Sequence, residues 1–444
     1  MVTKMQAVGM PHLPIPIANR REFLRACTTS AAGLFGSLLL PEAIFGTTTP
    51  GGMEQQSALL PIQGKRQYPI VVVWLQGGAA HFDTFDIRER TAPEEVKGPF
   101  NAISTNIKGV YVSELLPMMA QRMNQGALLK NIYHRQSDHG DATRLCLTGS
   151  QQKKEASGDS LFGKPKNTPA LIQLSEFISR NNIGYTVFNA NDGRQPYGGI
   201  QEKDSLFVQC DFKNNSYRSP FGEISDRGRF RSRLDLLNAL NGNMADSTDP
   251  QTIRYRELQQ KAVSILDGNL GDAFNLEMEP DRIRDRFGNN PFGKAALISK
   301  RLVQAGAQLV LINDGFWDSH YDIKKDLEKL VPRLDRGLSA LIDTLKDEAI
   351  IVVGTEFGRT PRVNGSKGRD HWPDSSFMFI AGPGIEPRVV GKVDNAGKII
   401  GNDGQYDASN MGEAILNAAG YARYVVRGNV VTNERFPTYP IFTK

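Results

Sequence analysis

Six consecutive apolar residues, Ile-Val-Val-Val-Trp-Leu at positions 70–75, run without a polar break into Gln76-Gly77-Gly78. A strand with one wet face alternates apolar and polar side chains, whereas a run apolar at every position must be buried on both faces. That condition belongs to a largely parallel sheet covered by helices on both sides. Comparable runs recur at 127–132, 308–312, 349–353 and 377–381, with helical patterns between several of them. The alternation predicts an α/β fold, a doubly wound and largely parallel sheet. Within 321–346, Leu327, Leu330, Leu334, Leu338, Leu341 and Leu345 recur at spacings of three and four, so they form one apolar helix face packed on that sheet. Chemistry in such folds collects where strands end in loops.

Size and charge narrow the class. A chain of 444 residues, 40% hydrophobic and 23% charged, can bury a substantial core. Its formal charge of +5 is spread over scattered basic residues, which suits an anionic ligand and not nucleic acid. The three cysteines, Cys27, Cys146 and Cys210, have no C-x-x-C spacing, excluding a cysteine-rich zinc site and a disulfide scaffold. Cys146 and Cys210 could pair in an oxidising compartment, but Cys146 lies in an apolar stretch and is expected as a buried free thiol. Gly77-Gly78 lacks the G-x-G-x-x-G spacing of a dinucleotide-binding oxidoreductase.

The first residues carry an address. Asn19-Arg20-Arg21-Glu22-Phe23-Leu24-Arg25 resembles a twin-arginine export signal, followed by an apolar stretch over 26–40 that is diluted by Thr28, Thr29, Ser30 and Gly33. That stretch is too short for the ~20 apolar residues of a membrane span. Residues 1–46 are therefore expected to engage the twin-arginine translocase, delivering a folded protein to the periplasm or cell envelope with no stable span beyond the signal. No clear A-x-A cleavage site follows, so retention as an anchor stays open. Residues 47–64, rich in Thr, Pro, Gly and Gln, read as a flexible linker. The domain itself is expected over 65–444, with the more polar stretch 150–291, including a helix over 250–266, as an insertion or cap.

The histidines beyond the leader stand beside acids: His81 near Asp83, His139 between Asp138 and Asp141, His320 near Asp318, His371 after Asp370, with His134 close by. Imidazole and carboxylate together suit one or two divalent ions such as zinc or manganese. Candidate ligands are His81, Asp83, Asp138, His139, Asp318, His320, Glu356, Asp370 and His371. Any one of them alone could equally be a hydrogen-bonded loop residue; four neighbouring Asp/His pairs favour a site. Arg359 follows Glu356 after the strand at 349–353 and could grip an oxyanion, or simply cap that strand in an ion pair. His139, His320 and His371 are expected to meet in one cleft, because they leave neighbouring strand ends.

The ordered motifs resemble one known family. Trp74-x-x-Gly77-Gly78-x-x-His81-x-Asp83-Thr84-Phe85-Asp86, Lys97-Gly98-Pro99-Phe100, Glu114-Leu115-Leu116-Pro117, Asp138-His139-Gly140 to Leu147-Thr148-Gly149, Asp285-Arg286-Phe287-Gly288, Trp317-Asp318-Ser319-His320, Glu356-Phe357-Gly358-Arg359-Thr360-Pro361 and Gly368-Arg369-Asp370-His371-Trp372-Pro373 are similar to the domain-of-unknown-function family fifteen hundred and one. These are exported, sulfatase-like proteins placed in the alkaline phosphatase-like superfamily. The resemblance spans nearly the whole chain and implies a fold and a site, since the family has no established reaction. It also implies a hydroxyl or thiol nucleophile ten positions ahead of Gly149, where this chain has His139. An acid pair is usual where this chain has Gln76-Gly77-Gly78, and Glu356-Phe357 stands at what looks like an Asp-His position. Asp318, His320 and His371 resemble the ligands of the remaining metal.

Two mechanisms fit these departures. His139 attacks an ester directly, or it ligates a metal that activates water; the second is preferred, because His139 beside Asp138 suits coordination. Arg359 or Arg144 would neutralise the developing charge. The modified-cysteine nucleophile of sulfatases is disfavoured, since Cys146 lacks the C-x-P-S-R context. The functional expectation is an exported metal-dependent hydrolase of sulfate or phosphate esters, possible substrates being anionic esters or polysaccharides. The alternative is a silent binding or envelope-assembly protein on the same scaffold.

Overall fold

The computed structural model describes residues 56–148 and 272–433 with short gaps, together with isolated strand and helix segments between 184 and 236. The run Ile70–Leu75 is strand β1, buried at every position as its composition requires. Its neighbours in one ten-stranded sheet are β2 (Gly126–Tyr133), β3 (Gly184–Asn189), β4 (Leu206–Asp211), β5 (Ser216–Tyr217), β6 (Leu309–Asp314), β7 (Ile350–Gly354), β8 (Ser376–Ala381), β9 (Arg388–Val390) and β10 (Tyr406–Asp407). The spatial order is β9-β2-β8-β7-β1-β6-β3-β4-β5, with β10 also on β2. The central run β7-β1-β6-β3-β4 is parallel throughout. Two strands run the other way: β8, antiparallel to both β7 and β2, and the short β5 at the edge.

Helices cover both faces. Val71, Val73 and Leu75 join one core cluster with α3 (Pro291–Gln304) and the leucine stripe of α4 (Ile323–Leu345), beside the shorter α2 (Asp281–Phe287). Ile70, Val72 and Trp74 join the opposite cluster with α1 (His139–Thr148) and α5 (Met411–Ala418). The pleat of β1 sends alternate side chains into these two cores. Because β1 is both central and flanked by parallel partners, no position along it faces water. Helix α4 continues past Pro332, which lacks an amide donor; burial of six leucines on one face outweighs one missing hydrogen bond.

One boundary expectation is corrected. Within the expected linker 47–64, residues Gln56–Pro61 form a strand that pairs antiparallel with Tyr421–Arg427 in a separate three-stranded sheet. Ala58-Leu59-Leu60 gives that segment enough apolar character to pair, so ordered chain begins ahead of residue 65. Of the stretch 150–291, expected as an insertion or cap, the described parts are β3, β4 and β5 in the sheet and α2 in its helical layer. The helix expected over 250–266 and the whole leader 1–46, with Arg20, Arg21, Phe23 and Leu24 of the twin-arginine signal, lie outside the described residues. Cys146 is a buried free thiol, as its apolar context required.

One edge of the sheet carries the chemistry. The chain after β1, β2, β6 and β7 emerges there, and the reversed sense of β8 brings the loop ahead of it, with His371, to the same edge.

Candidate metal centre

Three segments of chain deliver four side chains to one point. His139 opens helix α1, Asp318 and His320 stand in the loop after β6, and His371 precedes β8. Among the described residues, donor atoms of His139, Asp318 and His371 all lie within 4.8 Å of one another. His320 adds a fourth: its Nε2 lies 3.0 Å from Nε2 of His371 and 3.1 Å from Oδ1 of Asp318. His371 Nε2 is 3.4 Å from Asp318 Oδ1, and His139 Nε2 is 3.3 Å from Asp318 Oδ2. Donors arranged tetrahedrally around a zinc-sized ion at ~2.0–2.1 Å stand ~3.3 Å apart. The separations among His320, His371 and Asp318 Oδ1 match that edge length, and His139 approaches the other oxygen of the same carboxylate.

The other nitrogen of each ring is tied back. His139 Nδ1 meets Glu356 Oε1 at 2.8 Å, His320 Nδ1 meets Asp370 Oδ1 at 3.0 Å, and His371 Nδ1 meets the carbonyl of Ser137 at 2.7 Å. Each partner is an acceptor, so each Nδ1 carries a proton, and each Nε2, turned inward on Asp318, can give a lone pair to a cation once any proton of its own is released. Two such lone pairs 3.0 Å apart on His320 and His371 repel unless a proton or a cation stands between them. Anchoring of the outer ring nitrogen by a carboxylate or carbonyl is the arrangement that fixes histidine ligands for a metal.

Electrostatics agree with the geometry. Burial opposes a charge on His139, yet its bonds to Asp318 and Glu356 outweigh that and carry its pKa up to about 9. Burial pushes Asp318 upward, but His139, His371 and Arg359 together hold its carboxyl far below the usual carboxylate range. Asp370 is lowered by its bond to His320, with Asn364 assisting. Asp318 remains about half exposed, which leaves the cluster open to solvent on that side.

The remaining candidates occupy other places. Asp83 and Arg369 form a wholly buried bidentate pair, at 2.6 Å and 3.0 Å. His81 is enclosed beneath Gly358, its Nδ1 accepting from the Arg359 amide at 3.4 Å. Asp138 is exposed and caps α1, its Oδ1 accepting from the amide of Asp141 at 3.0 Å. Arg359 is fully buried and spends its fork on the carbonyls of Gly77, Gly78 and Arg369 and on Asp318. It therefore orients Asp318 and presents no free face to an oxyanion. The side chain of Arg144 lies outside the described residues.

Glycines at the end of β1 make room for this assembly. Gly77 (φ +119°) and Gly78 (φ +74°) adopt conformations that L side chains rarely take, and a Cβ would fall 2.5 Å from the Asp318 amide at one and 2.5 Å from the Phe357 ring at the other. Sequence reasoning missed the partners that fix the rings: the Ser137 carbonyl, the Gly77 amide that binds Glu356, and Asn364 beside Asp370. Two of these are main-chain groups, for which side-chain identity gives no signal.

An α/β protein with a histidine-rich metal-type centre at one sheet edge is thus defined by its own geometry. The chain belongs to the DUF1501 family, described as a protein of unknown function, whose model matches residues 68–423. Among curated proteins nothing matches. Solved structures to which it is similar include the C-terminal periplasmic domain of EcEptC from Escherichia coli in complex with Zn (9% identity, TM-score 0.39, covering 84% of this chain and 87% of that one). PsFucS1 sulfatase from Pseudoalteromonas sp. is similar at 13% identity, TM-score 0.37, with 80% and 68% covered. Alkaline phosphatase from the Antarctic bacterium TAB5 is similar at 11% identity, TM-score 0.35, with 80% and 99% covered. Among the described residues no helix is long and apolar enough to cross a membrane.

Proposed function

We propose that this protein is an exported, metal-dependent hydrolase that cleaves sulfate or phosphate esters by water attack. The observation that carries the reading is the convergence of three imidazole Nε2 atoms on Asp318, each ring held from behind by an acceptor. His139, Asp318, His320 and His371 would hold the ion. A divalent cation there would lower the pKa of a water toward neutrality and polarise the ester oxygen.

The chain's own residues supply the rest. Glu356 fixes the ring of His139, and Arg359 fixes the carboxylate of Asp318. Phe357, wholly buried, lies against the rings of His139 and His371 with centroids 4.9 Å and 4.4 Å away, so it excludes water from the inner side of the cluster. Reaction is confined to the open side, where Phe316 and Tyr321 are exposed on the same loop as Asp318 and His320. Direct attack by His139 is disfavoured, because its Nε2 already faces Asp318. Cys146 is equally unsuited: burial pushes its thiol well up, with Glu356 and Asp407 adding to the effect.

Protein freed of chelator and loaded with zinc or manganese is expected to turn over an aryl sulfate or an aryl phosphate. That turnover should vanish with EDTA and in His320→Ala. Loaded protein that cleaves neither ester contradicts the hydrolase and favours a binding role on the same scaffold. Export is supported by the leader pattern alone; residues 1–46 fused to a pre-folded reporter should carry it across the membrane, and Arg20→Lys with Arg21→Lys should stop it. Unchanged export in that double variant contradicts the twin-arginine route.

A further inference from the structure

We propose that the centre holds one divalent cation and not two, and that Glu356 is a positioning residue which makes His139 a ligand, not a ligand itself. This rests on the metal-dependent reading above.

The two buried acids nearest the ends of β1 and β7, Glu356 and Asp83, already accept hydrogen bonds that a second ion would have to break. Glu356 is wholly buried, and its Oε1 accepts both the Gly77 amide at 2.7 Å and Nδ1 of His139 at 2.8 Å, while Oε2 lies 3.1 Å from the Thr355 hydroxyl, whose one proton it shares with the Leu75 carbonyl at 2.7 Å. A main-chain donor such as Gly77 N–H cannot be turned away by a rotamer change. Binding an ion through Oε1 would strand that amide and the imidazole proton together. Asp83 is closed in the same manner, since both of its oxygens accept from Arg369.

Space agrees with charge. Phe357 follows Glu356 directly and fills the inner flank of the cluster, lying against His139, His371 and the Cα of Gly78. Gly77 and Gly78 bring no side-chain donor to that flank. What remains is Asp318 with the three inward Nε2 atoms, a set that suits a single four-coordinate ion or three ligands with an open position.

The role of Glu356 follows from the tautomer it imposes. A carboxylate at Nδ1 keeps the proton there and leaves the lone pair on Nε2. With Glu356→Gln, one neutral carbonyl oxygen must serve both donors, and the His139 proton is free to move to Nε2, where it blocks the ion.

The test uses full-length protein stripped of metal and titrated with zinc, read by native mass spectrometry and by competition with a chromophoric chelator. The expected result is one ion per wild-type chain, and in Glu356→Gln still one ion but with affinity weaker by about 10- to 100-fold. In the cobalt-loaded form the visible bands of Glu356→Gln should keep their energy and intensity, because the ligand set is unchanged. Two ions per wild-type chain overturn the proposal, and so does a cobalt spectrum in Glu356→Gln that reports a lost ligand. Failure of the wild-type chain to bind any ion overturns the metal-dependent reading itself, a result distinct from the other two. The wild-type stoichiometry decides the first half of the proposal whether or not the variant folds.

Discussion

Two groups of charged side chains leave the same edge of the sheet, and they are assembled on opposite rules. In the pair Asp83–Arg369 each carboxylate oxygen meets a proton: both accept from the guanidinium, whose other contacts reach the carbonyls of Val96, Thr360 and Pro361. Both side chains are wholly buried. In the cluster of His139, Asp318, His320 and His371, the outer nitrogens are satisfied and the inner ones gather on one carboxylate, with Nε2 of His320 and Nε2 of His371 facing each other at 3.0 Å. Both groups contain acids at strand ends, and both were candidates for metal binding on residue type alone. The difference is stoichiometric. A closed set of donors and acceptors braces the loops, while three imidazoles gathered on one carboxylate at ~3.3 Å spacing suit a cation.

The largest test of the contrast removes one partner of the closed pair. Arg369→Ala leaves a buried carboxylate uncompensated and is expected to destabilise the protein by about 3–5 kcal/mol, measured by urea unfolding. The double replacement Asp83→Leu with Arg369→Met should recover most of that loss, because no charge is then left buried. If Arg369→Ala unfolds like wild type, the pair is not a brace.

The matching change in the open cluster should act on binding and spare the fold. His371→Ala is expected to lower zinc affinity on the order of 100-fold, while the stability of the metal-free protein changes by no more than about 1 kcal/mol. A stability loss as large as that of Arg369→Ala would erase the distinction between the two regions.

Proton and cation compete for the same inward nitrogens, which makes the open cluster pH-sensitive. His139 is raised from an ordinary value of 6.5 to about 9, so the folded state holds its proton more tightly than the unfolded state. The stability this contributes to metal-free protein is complete below about pH 6.5 and is lost as pH rises through about 9. A falling unfolding midpoint between pH 7 and 10 in wild type, absent from His139→Ala, is expected by calorimetry. Parallel profiles for the two proteins would show that His139 is not the group concerned.

The smallest effect belongs to the rim. Tyr321 is 72% exposed, so Tyr321→Ala should shift stability by no more than about 0.5 kcal/mol. If its ring guides substrate, KM for an aryl ester rises by no more than about fivefold with kcat unchanged, in keeping with a rim contact. A fall in kcat instead would place this ring nearer the reacting atoms.

Much of this architecture was legible in the sequence for identifiable reasons. β1 was plain because burial on both faces leaves an unbroken apolar run, and α4 because one face of a long helix writes a leucine every three or four residues. The meeting of His139 and His320 followed from their places after strands; that of His371 was expected for a reason that does not hold, since it leads into its strand. The reversed sense of β8 was not legible, although His371 precedes its strand and reaches the common edge only because that strand runs antiparallel. The division of labour among the acids was hidden as well. Asp83, Glu356 and Asp370 look alike as residue types, and only their partners, Arg369, the Gly77 amide with His139, and His320, distinguish a brace from a support for a ligand.

Anomalous diffraction at the zinc absorption edge, from crystals of protein loaded with that metal, addresses the central claim most directly. A single peak is expected at ~2.0–2.2 Å from Nε2 of His139, His320 and His371 and from a carboxylate oxygen of Asp318. No peak among these four side chains, or an ion held elsewhere on the molecule, would contradict it.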